Sequence, residues 1–352
     1  MGQWVGTLLG RRAARVGRYG PWRVDPEMGG GASVVHLTER GVGHGRWRAA
    51  SRAAMVVALI ASGALARSSA AAQSAELERF TVSAGGHPLT VWARRPPSPR
   101  ACVLLVHGRT WSSRPGFDLQ VPGFERSVLA SLAARGIAAY AVDLRGYGET
   151  PRDPSGWTTP EQTATDVLAV AAWIAEQHAS LPPVALVGWS RGAAVAMLAA
   201  QRSPARVSAL VLYGFAHDPD ARFVDSVGPA RPAMAPNTPE SATSDFVSAT
   251  VTPPAVIAAF REQALGSDPV LADWRREVEF NALDPRQITI PVLVLLGDRD
   301  PGVIKEELAR FYRSLGTADK QLVLLPGADH AAHIEDTHDA WVDAVVERVL
   351  ER

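Results

Sequence analysis

The chain has 352 residues, enough for one large α/β unit without demanding two. Hydrophobic residues make up 47% and charged residues 20%, which excludes an intrinsically disordered chain and permits a large buried core. With 36 basic and 36 acidic residues there is no net field to draw nucleic acid or an anionic membrane surface, so neither is expected as a partner.

Residues 1–72 read as a leader. Residues 1–52 are rich in Gly and Arg and show no sustained period of 2 or 3.6, so no fold is assigned to them. A basic stretch follows from Arg46, then the apolar run Ala53–Ala61, then small residues through Ala72. This is the pattern of a secretory signal peptide within residues 46–72, cleaved near Ala72 or Gln73. Arg67 limits the apolar run to about 14 residues, short of the ~20 that span a bilayer. Export to the periplasm or the medium is therefore expected, with no stable membrane span. A start codon placed too far upstream would instead leave the protein cytoplasmic.

Residues 73–352 read as one domain in which apolar strands alternate with helix-length amphipathic segments, the pattern of a mostly parallel sheet with helices on both faces. A leading hairpin is predicted from Phe80–Val82 and Leu89–Trp92, turning at Gly85-Gly86. Six continuous apolar strands follow, at Val103–Val106, Ile137–Val142, Val184–Val187, Val207–Leu212, Val292–Leu296 and Leu322–Leu325. Helices are predicted at Phe124–Ala134, Pro160–Gln177, Arg191–Gln201, Val303–Ser314 and Asp336–Leu350. Residues 215–287 break the rhythm, with prolines at 229, 232, 236 and 239 and helical patterns at Pro253–Leu265 and Asp268–Val278. An insertion of this length after the sixth strand predicts a helical cap or lid.

Cys102, the sole cysteine, lies in the apolar run Ala101–Val106, where a buried, inert thiol is expected. The nine histidines include no His-Glu-x-x-His pair, so neither a metal nor any other cofactor is expected.

Chemistry concentrates in loops that follow strands. Gly188-Trp189-Ser190-Arg191-Gly192 follows the strand Val184–Val187 and opens the small-residue helix from Ala193, a strand-turn-helix that forces Ser190 onto a tight turn at the sheet edge. A serine hydroxyl needs a histidine base and an orienting acid. Asp300 follows the strand Val292–Leu296 and His330 follows Leu322–Leu325, in the order Ser, acid, His. Asp298, Asp218 and His333 are the rivals. Trp111, Trp157 and Trp189 lie on or beside these loops, either lining an apolar pocket or packing in the core.

These segments resemble the α/β-hydrolase superfamily over about residues 77–350. The resemblance implies a Ser190–His330–Asp300 triad. Asp300 closes a Gly-x-x-Asp stretch, and His330 precedes Glu335 by five positions. The run from Leu104 to Thr110 resembles the family's oxyanion loop, which implies backbone N–H donors at Arg109 and Arg191, with His107 bracing the loop. Thr110 departs from the proline often found there. Asp143–Thr150 resembles a segment shared with epoxide hydrolases and dehalogenases, but those use an Asp nucleophile where this chain has Ser190. The expected activity is a carboxylesterase-like serine hydrolase acting on a small ester through an acyl-enzyme. Carbon–carbon or amide hydrolysis, cofactor-free perhydrolysis and a non-catalytic binding role remain alternatives.

Overall fold

A computed structural model describes residues 75–218, 222–224, 231–247, 250–301 and 305–350; the leader, with its expected signal segment, lies outside them. The strands are β1 (Glu78–Ala84), β2 (His87–Arg94), β3 (Ala101–Val106), β4 (Ile137–Val142), β5 (Trp157–Thr158), β6 (Ala185–Trp189), β7 (Leu210–Tyr213), β8 (Asp273–Trp274), β9 (Val292–Gly297) and β10 (Lys320–Leu325). The α-helices are α1 (Ser113–Phe117), α2 (Val128–Ala134), α3 (Pro160–Gln177), α4 (Arg191–Arg202), α5 (Pro239–Thr243), α6 (Pro254–Ser267), α7 (Lys305–Ser314) and α8 (His338–Leu350).

Eight strands form one sheet in the order β1-β2-β4-β3-β6-β7-β9-β10. Strand β2 runs antiparallel to β1 and β4, and the remaining pairs are parallel. Gly85 and Gly86 both adopt positive φ, as the two-residue β1–β2 turn requires. Side-chain alternation then splits the core. Cys102, Leu104 and Val106 face the layer of α3, α4 and α7; Val103 and Leu105 face that of α1, α2 and α8.

The segment between β7 and β9 holds α5, α6, β8 and a 3-10 turn at Glu277–Ala282. The helix expected over Asp268–Val278 is absent. Asp268 precedes Pro269, which disfavours the helical region for it, and it adopts φ −128°, ψ 68°. Beyond it, β8 pairs with β5 in a separate two-stranded ribbon. Asp268 instead ties the insertion to the core: its buried carboxylate accepts from the Ser112 N–H and hydroxyl (2.8 and 2.7 Å) and from the Gly148 N–H (2.8 Å).

Candidate active site

Strand β6 delivers Ser190 to the carboxyl edge of the sheet with φ 55° and ψ −119°, a conformation that costs a non-glycine residue about 1–3 kcal/mol. Close packing holds it there. A Cβ on Gly188 would collide with the Ala193 backbone, and one on Gly192 with the carbonyls of Val106 and His107. Both glycines of the five-residue run are thus steric requirements of the strand-helix approach. The Ser190 N–H donates to the Tyr213 carbonyl at 2.8 Å, fixing the turn to the end of β7.

Asp300 and His330 come together, with His330 Nδ1 2.8 Å from Asp300 Oδ2. Asp300 is buried and His330 half-buried. Burial lowers the His330 pKa, but the hydrogen bond and charge of Asp300 outweigh it, so the net shift is upward. Gly297 explains the Gly-x-x-Asp spacing: a Cβ there would strike the backbone of Ala328 and Asp329, so β9 packs directly under the His330 loop. The His330 carbonyl accepts from the Trp189 indole at 2.9 Å and the Tyr213 hydroxyl at 2.7 Å, and Gly214 lies against the imidazole.

The rivals have other partners. Asp298 is exposed and accepts the Gly327 N–H at 2.8 Å, shaping the turn before His330. Asp218 pairs with Arg310 at 3.1 Å. His333 is fully buried among Phe117, Trp189, Tyr213 and Trp341, and burial holds its pKa well below the usual value. Glu335 earns its spacing from His330 by accepting the N–H groups of Asp329 and Ala331, which flank the histidine, at 3.0 and 3.1 Å. Burial and a hydrogen bond to Asp329 push its carboxyl up to about 9.

The loop after β3 passes beside Ser190. A Cβ on Gly108 would sit 3.3 Å from Ser190 Cβ. The Leu144 N–H donates to His107 Nε2 at 3.1 Å, so Nδ1 carries the proton and donates to the Gly108 carbonyl at 2.8 Å. His107 is fully buried, and burial lowers its pKa to about 4, so it braces the loop as a neutral group. Thr110 has φ 92°, which the proline ring forbids, and this accounts for the departure from the resembled pattern. The Asp143–Thr150 segment is scaffolding: Asp143 accepts from Trp92, Ser113 and Glu149, and Leu144 braces His107.

Trp111, Trp157 and Trp189 are all buried. Of the three, Trp189 contributes a hydrogen bond to the His330 loop. Tyr213, Tyr147, Trp274 and Glu277 also shape the site, and no local pattern marks these roles because each acts across a long stretch of chain. The guanidinium groups of Arg109 and Arg191 both approach the Glu277 carboxylate, at 3.6 and 3.2 Å.

Residues 97–337, which contain Ser190, Asp300 and His330, match the family model described as serine aminopeptidase, S33. The chain is 25% identical over 261 residues to a monoacylglycerol lipase of Mycolicibacterium smegmatis, covering 72% of this chain and 89% of that protein. Its fold is similar to that of E-2-(acetamidomethylene)succinate hydrolase (TM-score 0.55, 19% identity, 79% of this chain and 100% of the other). An epoxide hydrolase from Vigna radiata is also similar (TM-score 0.54, 17% identity, 77% and 97%). The chain belongs to the serine aminopeptidase S33 family of α/β-hydrolases and is a hydrolase of that fold.

Proposed function

We propose that the protein hydrolyses a carboxylic ester through Ser190, His330 and Asp300 and an acyl-enzyme intermediate. The 2.8 Å bond between His330 and Asp300, at the sheet edge that carries the strained Ser190 turn, is the observation that carries this reading. Ser190 Oγ attacks the ester carbonyl while His330 Nε2 takes its proton. The backbone N–H groups of Arg109 and Arg191 hold the developing oxyanion. The alkoxide leaves with the proton from His330, and water, deprotonated by the same imidazole, then releases the acid. The monoacylglycerol lipase relative supports an ester substrate. The insertion over residues 215–287 serves as the cap that selects it, and the leader's signal pattern supports export.

A fluorophosphonate probe should label the parent protein and leave Ser190→Ala unlabelled. A series of p-nitrophenyl esters of increasing acyl length should be cleaved by the parent and not by Ser190→Ala; equal rates in both would sink the assignment. Amide cleavage is a second reading, favoured by the match of residues 97–337 to the family model described as serine aminopeptidase. Aminoacyl p-nitroanilides in the same assay separate the two.

A further inference from the structure

We propose that Glu277, in the insertion, is a positioning residue whose single carboxylate holds together the two arginines that carry the oxyanion donors. The inference rests on the reading of Ser190 as nucleophile and of the Arg109 and Arg191 N–H groups as donors. Those two peptide units belong to separate loops, one after β3 and one after β6. Their aim at a common oxygen depends on how well the two loops keep their separation, and a misplacement of about 1 Å at an active site costs ~100-fold.

Glu277 Oε1 lies 3.2 Å from Arg191 Nη1 and 3.6 Å from Arg109 Nη1, and Arg191 Nη2 reaches Oε2 at 3.4 Å. The Arg191 side chain is 6% exposed, and its guanidinium stacks on Trp274 at 5.0 Å and Phe280 at 5.7 Å, both from the same insertion. A cation this enclosed has few arrangements open to it, so the carboxylate that meets it is held in turn. Backbone strain brings Glu277 there. Arg276, just before it, is left-handed at φ 56°, ψ 35°, while its own side chain points to the surface and pairs with Glu279 at 2.9 Å. A second tie runs beside the first. Trp274 Nε1 donates to the Tyr147 hydroxyl at 2.7 Å. Arg109 and Tyr147 are therefore both fastened to the four-residue stretch Trp274–Glu277 of the insertion. Without Glu277 the Arg109 and Arg191 cations would also repel each other.

The test is steady-state kinetics on p-nitrophenyl butyrate together with inhibition by an alkyl trifluoromethyl ketone, whose adduct carries the oxyanion. Glu277→Gln should lower kcat about 10-fold and weaken the ketone by the same factor, with KM within about twofold, as expected for an interaction made only in the transition state. Glu277→Asp should recover part of both losses. Arg109→Gln keeps its backbone N–H and removes a half-exposed arm, so it should fold and lose about threefold in kcat. Glu279→Gln breaks the neighbouring ion pair of the same turn and should lower the melting temperature without a matching loss of ketone affinity. Unchanged kcat and ketone affinity in Glu277→Gln and Arg109→Gln would overturn the proposal, as would equal ketone losses in Glu277→Gln and Glu279→Gln. Full activity in Ser190→Ala would overturn the nucleophile reading along with it, so the two failures are distinguishable.

Discussion

At the scale of single residues, Asp300 does two things to His330: it fixes the tautomer with Nδ1 protonated, and its charge favours the imidazolium. The first places the free lone pair on Nε2. The second raises the pKa above 6.5, so kcat/KM should climb with pH through a midpoint above that value, since only neutral His330 is a base. Asp300→Asn removes the charge while burial remains. Its acid limb should move to lower pH and its kcat should fall by about 10⁴-fold, the size seen when a triad acid is made neutral. A pH–rate profile of both proteins on one ester checks this, and a limb that stays in place would show that another group titrates.

Gly108 offers a second test at this scale. A methyl group there would press on Ser190 Cβ and the Trp189 carbonyl, each 3.3 Å away. Gly108→Ala should fold with little loss of stability yet lower kcat about tenfold or more, because the serine must shift and reactive geometry tolerates little displacement. A kcat equal to that of the parent would mean that the loop has room to relax.

At the scale of elements, the β7 end is the hub. Tyr213 accepts the Ser190 N–H through its carbonyl and donates to the His330 carbonyl through its hydroxyl, so one residue locates both Ser190 and His330. Tyr213→Phe removes one of two donors to that carbonyl and should lower kcat severalfold. Trp189→Phe should do likewise, and the double variant should lose more than the sum of the two free energies, because either donor alone still holds the loop. Kinetics of the three proteins measure the coupling, and strict additivity would count against a shared role.

What the sequence makes legible here follows the same division. Ser190, Asp300 and His330 each sit just past a continuous apolar strand, and strand-loop order is a local signal. The contacts that fix this geometry are not local: Tyr213 lies 117 residues from His330, whose carbonyl it holds, and Asp268, which ties the insertion to the core, lies 156 from Ser112. Nothing in the spacing of either residue marks it. The helix expected at Asp268–Val278 failed for a local reason, the proline after Asp268, and for a distant one, the pairing of β8 with β5. The Pro160–Gln177 helix had neither obstacle and matches residue for residue.

At the scale of the whole molecule, buried ionisable groups set how stability varies with pH. His107 is held neutral with its pKa lowered to about 4, and burial also holds His333 well below its usual value. Below about pH 6.5 the unfolded chain binds protons that these folded imidazoles refuse, so stability drops as pH falls from 6.5. Glu335 acts in the opposite sense. Its carboxyl titrates at about 9 when folded against 4.5 ordinarily, so between those values the folded state binds the extra proton and stability declines as pH rises. Above pH 7 the two histidines are neutral in both states and their contribution is constant, while the raised pKa of His330 adds a decline of the same sign that Glu335→Gln leaves in place. One proton corresponds to about 1.4 kcal/mol per pH unit, so the loss from pH 7 to 9 is on the order of 2 kcal/mol. Glu335→Gln has no proton to lose: its amide oxygen accepts the Ala331 N–H and its NH2 donates toward the Asp329 carboxylate, at the cost of the acceptor for the Asp329 N–H. Urea unfolding at pH 7, 8 and 9 should show a falling free energy for the parent and a flatter line for the variant. Parallel lines would assign the slope to other groups and leave the Glu335 carboxyl ionised beneath His330.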